Sequence, residues 1–336
     1  MKKLKSVLFA CLLLLLFGCS AEDQSATDEV IQIDVCYSSI SATQSVAMYA
    51  FEKGIYEEYD LDVNLVFIEG GSTATSAMIA GEMDICQIAG SAVVNGVVGG
   101  ADIKIIAGLF NTYVYSLMVT PEIASADDLV GKALAVSSFG GSSDTAMRAV
   151  VESLGLVPDG DVAIISVGGQ SKRLAAMESG AAAGTVVSVP QTAQARELGY
   201  QELVNMADLN VPFQHTALVT SEALLNENPE TVERFLMATI DAIGQMKQDK
   251  EGVIEVLAQY LLLDVEEERA VLEEAVDVLI LGYLPDVPRP TESGIQLQLD
   301  ALETENSDAV NFSPADILDT TILTSIEDSD FLDSLE

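Results

Sequence analysis

Tryptophan is absent from this chain of 336 residues, histidine occurs once, and lysine plus arginine number 15 against 53 aspartates and glutamates. Each shortage excludes something. A formal net charge of −38 leaves no basic face for nucleic acid or for an anionic membrane surface, since both are held by cations that displace counter-ions. The one histidine, His215, cannot form a His pair, and no Cys-x-x-Cys occurs. No metal site of those kinds is expected, and no cofactor is implied. The cysteines number four. Cys11 and Cys19 lie at the N-terminal end, which leaves Cys36 and Cys86 in the strand-like runs "QIDVCY" and "MDICQIAG". Two cysteines make no framework, and both read as small buried residues with free thiols. Proline is scarce, while 49% of residues are apolar, enough for a large core shared by two domains.

What is present begins with a leader. Lys2, Lys3 and Lys5 precede an apolar run, Val7–Phe17, that is short for a membrane span. Residues 1–18 therefore read as a secretory signal. Leu16, Gly18 and Cys19 resemble a bacterial lipobox, which would put a lipid on Cys19 and anchor an exported protein to a membrane. The plainer alternative is an ordinary signal peptide beside a chance cysteine. Residues 19–29 are small and polar, a flexible tether. Removing the three lysines of the leader takes the charge from −38 to about −41 in the mature chain.

Strands then alternate with helices, the pattern of a parallel α/β sheet. Strands are expected over Ile31–Tyr37, Leu61–Gly70, "MDICQIA", Ile103–Phe110 and Tyr115–Pro121. A second unit follows, with strands Lys132–Ser138, Val162–Gly169 and Gly184–Pro190. Helices are expected from Ser45 to Lys53, after a Ser72 or Thr73 cap, after the loop at Ser142, and from about Ser171 to Gly180. "AMIAG" (Ala77–Gly81) and "AMESG" (Ala176–Gly180) stand 99 residues apart, each between a helix and a strand. They read as one supersecondary step repeated in two similar domains. After Gln214 the pattern turns mainly helical. Pro229 opens one helix, further helices cover Glu251–Leu262 and Val265–Ile280, and Tyr283–Thr291 is a Pro-rich break.

The enzyme case is thin. There is no G-x-S-x-G elbow, and a triad would have to use His215. The loop "SSFGGSS" (Ser137–Ser143) holds four serines and two glycines in seven residues, at a helix N-terminus, and fits neither a P-loop nor G-x-G-x-x-G. Free N–H groups and hydroxyls there can take a small anion or polar group. The alternative is plain capping by Ser142 or Ser143. Asp144 in the first turn would oppose an anion. Loops "SSISATQ", "GGST" and "IAGSA" also fall at the carboxyl ends of strands, where open α/β sheets bind ligands.

In their order, "GGSTATSAMIAGEMDICQIAGSA", "IKIIAGL", "DDLVGKALAV", "GGSSDTAMRAVVESLGL", "RLAAMESG" and "LVTSEALLNENPETVERFLMA" resemble a bacterial solute-binding lipoprotein of an ABC transporter. The group is the nitrate, taurine, aliphatic-sulfonate and thiamine-pyrimidine binding-protein family. The resemblance implies a periplasmic-binding-protein-like type II α/β fold, two lobes with a cleft and two crossover strands. Residues 30–113 and 217–336 would form lobe 1 with the C-terminal helices, and residues 114–216 would form lobe 2. It implies a sulfonate, nitrate or pyrimidine ligand and, as partners, a permease with its ATPase subunits. Carried over residue by residue, ligand contacts fall on Ser39, Ser41 and Gln44; on Gly71, Ser72 and Thr73; and on Gly90 and Ser91. In the second lobe they fall on Ser138, Gly140, Gly141, Ser142, Ser143 and Ser188, and at the return crossing on Gln214 or His215. A flat ligand would stack on Phe110, Tyr113 or Phe139. The family's pyrimidine-synthase branch needs a histidine and a cysteine cluster. That cluster is missing here, so no enzyme is expected.

Overall fold

The computed structural model describes residues 30–209, 211–303 and 306–335. The leader, the tether and Cys19 lie outside them. Among the described residues ten strands form two five-stranded sheets. The first holds β1 (Ile31–Tyr37), β2 (Leu61–Phe67), β3 (Ile85–Ala89), β4 (Ile103–Thr112) and β10 (Pro212–Ser221), in the order β2-β1-β3-β10-β4. The second holds β5 (Ser116–Val119), β6 (Ala133–Val136), β7 (Ala163–Ser166), β8 (Gly184–Val187) and β9 (Gln201–Asn205), in the order β7-β6-β8-β5-β9. The chain crosses between sheets twice, after β4 and before β10. This is the two-lobe type II architecture.

Both sheets are covered on both faces, so their strands read as nearly continuous apolar runs rather than clean alternations. Along β1, Ile33, Val35 and Tyr37 enter one core while Cys36 enters the opposite one. Along β5, Leu117 and Val119 face one core and Met118 the other. The first core is roofed by the helix Pro229–Gln248, where Tyr56 stacks on Phe235 at 5.2 Å. The helix starts at Pro229, where a missing N–H costs nothing.

The repeated "AMIAG/AMESG" step has a structural counterpart. Each copy ends the helix before the third strand of its sheet, β3 or β8. Gly81 and Gly180 both take the left-handed turn, at φ 73° and 74°. β1, β2 and β3 therefore correspond to β6, β7 and β8, and the two remaining strands of each sheet are the crossing pair.

Several expectations need correction. The sheets are mixed rather than parallel: β10 runs antiparallel to β3 and β4, and β5 to β8 and β9. The sequence pattern could not show that a strand entering from the other lobe reverses direction. The helix Gln191–Glu197 and strand β9 were not anticipated, and β10 extends strand structure to Ser221. The expected helix Val265–Ile280 starts only at Arg269 and runs on to Tyr283, with widened π-helical turns from Val276. Cys36 and Cys86 are not free thiols. They stand directly opposite each other on β1 and β3 with Cα atoms 4.4 Å apart and form a disulfide. Composition gave no hint of the pairing, because register is invisible at a separation of 50 residues.

Candidate functional site

The carboxyl ends of β1, β2, β6 and β7 point at one another across the gap between the lobes, and a cavity of about 260 Å³ lies there. Three helix starts border it, Gly71, Ser142 and Gln170; the helix from Ser45 continues a short 3-10 turn, and its Ser45 and Ala47 amides already donate to Ala42 O and Gln87 Oε1. None of the three carries a side-chain cap, and only the helix from Ser142 has an acid in its first turn. First-turn N–H groups have no partner within their helix, so each of these starts adds donors and a partial positive charge.

The deep wall comes mainly from the second lobe. Arg173 is buried, and its guanidinium donates to Thr185 Oγ1 (2.9 Å), Gly168 O (3.2 Å) and Val186 O (2.9 Å). Among the described residues no carboxylate pairs with it. Burial pulls its pKa down to about 10, so the charge persists at neutral pH. Gln170 reaches the cavity because Ser188 holds it: Ser188 N–H donates to Gln170 Oε1 (2.8 Å), and Gln170 Nε2 donates to Ser188 Oγ (3.3 Å). His215 arrives on β10, with Nδ1 3.3 Å from Ser142 Oγ and its ring edge-on to Tyr115. Desolvation lowers the His215 pKa to about 3, which keeps the imidazole neutral. Burial raises the Tyr115 phenol, with Arg173 and Ser142 pulling the other way. From the first lobe, Gln44 is buried with its Oε1 unpartnered.

Of the residues nominated from the sequence, Ser39, Gln44, Gly71, Ser142 and His215 line this cavity. The others stand elsewhere. Ser41 is buried behind it and bonds Ser39 and Thr43. Neither Ser72 nor Thr73 caps its helix. The cap position is Gly70, Thr73 is exposed, and Ser72 donates across the lobes to Phe139 O. Gly90 is required by packing: a Cβ there would stand 2.5 Å from Gln214 O. Ser91 and Gly140 line a separate crevice of about 140 Å³ on the hinge side. Ser138 is half-buried and Gly141 buried, both outside the cavity lining. Ser143 Oγ accepts from Ser137 N (2.8 Å), so it braces the loop rather than capping the helix. Asp144 turns away toward Arg148 and Gly140 N, which answers its expected conflict with an anion. Phe110 is core, Tyr113 lines the rear crevice, and Phe139 lines neither.

Arg173, Gln170, Tyr115, Phe67 and Tyr260 were missed. A signal for Arg173 existed. Gln170, Arg173, Leu174 and Met177 occupy i, i+3, i+4 and i+7, so the arginine falls on the buried stripe of its own helix. Phe67 and Tyr260, distant in sequence, gave no such signal.

The lobes also touch directly. Glu69 pairs with Lys172 at 2.6 Å and accepts from Gly169 N at 2.8 Å. The Lys172 bond, then that amide, holds the Glu69 carboxyl below its usual range. Among the described residues no cluster of three or more His, Cys, Asp or Glu could hold a metal, and no helix is long and apolar enough to cross a membrane.

Solved structures share the architecture. The alkanesulfonate-binding protein SsuA of Xanthomonas axonopodis pv. citri, bound to MOPS, superimposes with a TM-score of 0.69 at 17% identity over 85% of this chain and 96% of its own. The periplasmic nitrate-binding protein NrtA of Synechocystis PCC 6803 gives 0.74 at 14% identity over 91% of each chain. A cysteine-to-serine variant of DszB in complex with biphenyl-2-sulfinic acid gives 0.64 at 14% identity, covering 88% of this chain and 99% of that one. At such identities these likenesses speak for the fold alone. Among curated protein sequences, none matches the chain. The sequence model "NMT1/THI5 like" matches residues 43–252, well over half the chain. The protein belongs to the NMT1/THI5-like family.

Proposed function

We propose that the protein is the substrate-binding component of an ABC importer, which captures a small polar or anionic organic solute between its lobes. The observation that carries this reading is the cavity itself, which both lobes line with polar groups and bare helix starts. Residues 30–113 with 217–336 would act as one body and residues 114–216 as the other. Ligand would settle on one lobe, the second would close, and the closed form would dock on the permease. A lipid on Cys19 would hold the protein at the membrane. ATP would be spent by partner subunits. SsuA and NrtA, with the same fold, support a solute of the sulfonate or nitrate kind.

DszB, an enzyme, shows that chemistry is compatible with this fold. Against an enzymatic role here, His215 is a weak base at a pKa of about 3. Its contacts are Ser142 and aromatic rings, and among the described residues no carboxylate orients it as a triad would require.

A thermal-shift screen of sulfonates, nitrate, thiamine precursors, nucleobases and amino acids tests the reading. A solute at 100 times its dissociation constant adds about 2.7 kcal/mol, a visible rise in Tm. A ligand-free protein that ignores the whole panel, while turning over a candidate substrate, would overturn it.

A further inference from the structure

The cavity is graded in an unusual direction. Apart from the exposed Glu69–Lys172 pair at its mouth, its charged and large polar groups are deep: Arg173 is 2% exposed, His215 3% and Gln44 3%. Its apolar groups lie toward the mouth, where Phe67 is 39% exposed, Ile40 40% and Leu262 88%. Tyr260 and Tyr37 support that rim, with the Tyr37 ring 5.3 Å from Phe67 and 6.1 Å from Tyr260. Folding normally hides such side chains and leaves charge outside.

The charge balance is equally specific. Lys172 and Glu69 neutralise each other. Asp144 is engaged with Arg148. Of the charged side chains that line the cavity, Arg173 alone has no carboxylate paired with it among the described residues. Its guanidinium has five N–H donors. Three bond the protein, which leaves one on each Nη for the cavity. A buried cation without a partner is costly, and an anion brought to it removes that cost. One anionic charge balances it; a second would stand unpaired. The volume of about 260 Å³ exceeds an inorganic ion, since a single water takes roughly 30 Å³.

We propose that the cavity takes an organic monoanion head first. A carboxylate or sulfonate lies at Arg173, and an aliphatic or aromatic body extends toward the mouth against Phe67, Tyr260 and Leu262. This rests on the binding-protein reading and narrows it: nitrate and uncharged pyrimidines are excluded as the principal ligand.

Calorimetric titration of the refolded, ligand-stripped protein tests it. The probes are one-, four- and eight-carbon alkanesulfonates, carboxylates of equal length, their primary amides, and nitrate. Binding should tighten at least about tenfold from the one- to the four-carbon anion, and the amides should bind about a hundredfold more weakly than the anions. Phe67→Ala, at an exposed side chain, should flatten the length dependence while leaving methanesulfonate within about twofold. Arg173→Gln should abolish anion binding, and the Phe67 series keeps the test decisive if that variant misfolds. Nitrate or an amide binding as tightly as the four-carbon anion overturns the inference and leaves the binding-protein reading standing. A length dependence unchanged in Phe67→Ala does the same. If no probe binds and the wider solute screen is also silent, both fall.

Discussion

The two lobes share one strand order, yet the first is a platform and the second a lighter jaw. In the first sheet the strands run from five to ten residues; in the second, from four to five. The first sheet is tied by Cys36–Cys86 and jacketed by helices that follow β10. The second has smaller cores, and it supplies Arg173 and the serine loop. The lesson is a division of labour: the braced sheet and the apolar rim on one side, the buried charge on the other, with hydroxyls from both.

The sharpest way to break that contrast is to remove the bridge. Cys36→Ala with Cys86→Ala opens a 50-residue closure and should cost about 4 kcal/mol in a chain-entropy account. Hydrogen exchange should show the loss in β1–β3 and not in β6–β8. Equal loosening of both lobes would dissolve the distinction.

Acid probes the seam. The folded pKa of His215 is depressed from 6.5 to about 3, so its contribution is complete above pH 6.5 and is lost as pH falls toward 3. In that window the protein should lose roughly 1.4 kcal/mol per pH unit from this group. A Tm-against-pH series in which His215→Gln follows the parent would refute the assignment.

Within the jaw the two serines should separate. Ser143→Ala leaves Ser137 N–H without its acceptor and should cost about 1–3 kcal/mol of stability, read in urea. Ser142→Ala should weaken ligand binding by about fivefold to tenfold with little change in Tm. The smallest effect is at the rim. Glu69→Gln removes an exposed pair of less than about 1 kcal/mol, so ligand should leave up to about fivefold faster. The folded Glu69 carboxyl is depressed. Its help is therefore present above the ordinary value of 4.5 and fades in acid, and salt should screen it. Stopped-flow dissociation that ignores Glu69→Gln at low salt would show that the Glu69–Lys172 contact does not hold the lobes together.

Much of this was legible locally. Turn glycines, strand ends and the Pro229 start follow from backbone chemistry, and the repeated "AMIAG/AMESG" step announced the doubled topology. The serine loop was found by composition, but composition could not tell Ser142, which faces the cavity, from Ser143, which braces Ser137. What escaped is what long-range register decides. Cys36 meets Cys86 only after β1 pairs with β3, and β10 reverses because it enters from the other lobe. Phe67 and Tyr260 become neighbours through a helix nearly two hundred residues downstream. Arg173 was readable in principle, since a cation on a buried helical stripe asks for an explanation.

Two strands, not one, join the lobes, and Tyr113 stacks on Phe213 at 4.0 Å where the chain crosses. A single tether would let one half wander and twist about it. Two side-by-side tethers define an axis, as two pins define the swing of a door. In the proposed role the lobes would keep essentially one soft degree of freedom, and thermal agitation would be channelled into opening and shutting. A permease would then need to recognise only one relative orientation, and that geometry would itself report whether the cargo is aboard.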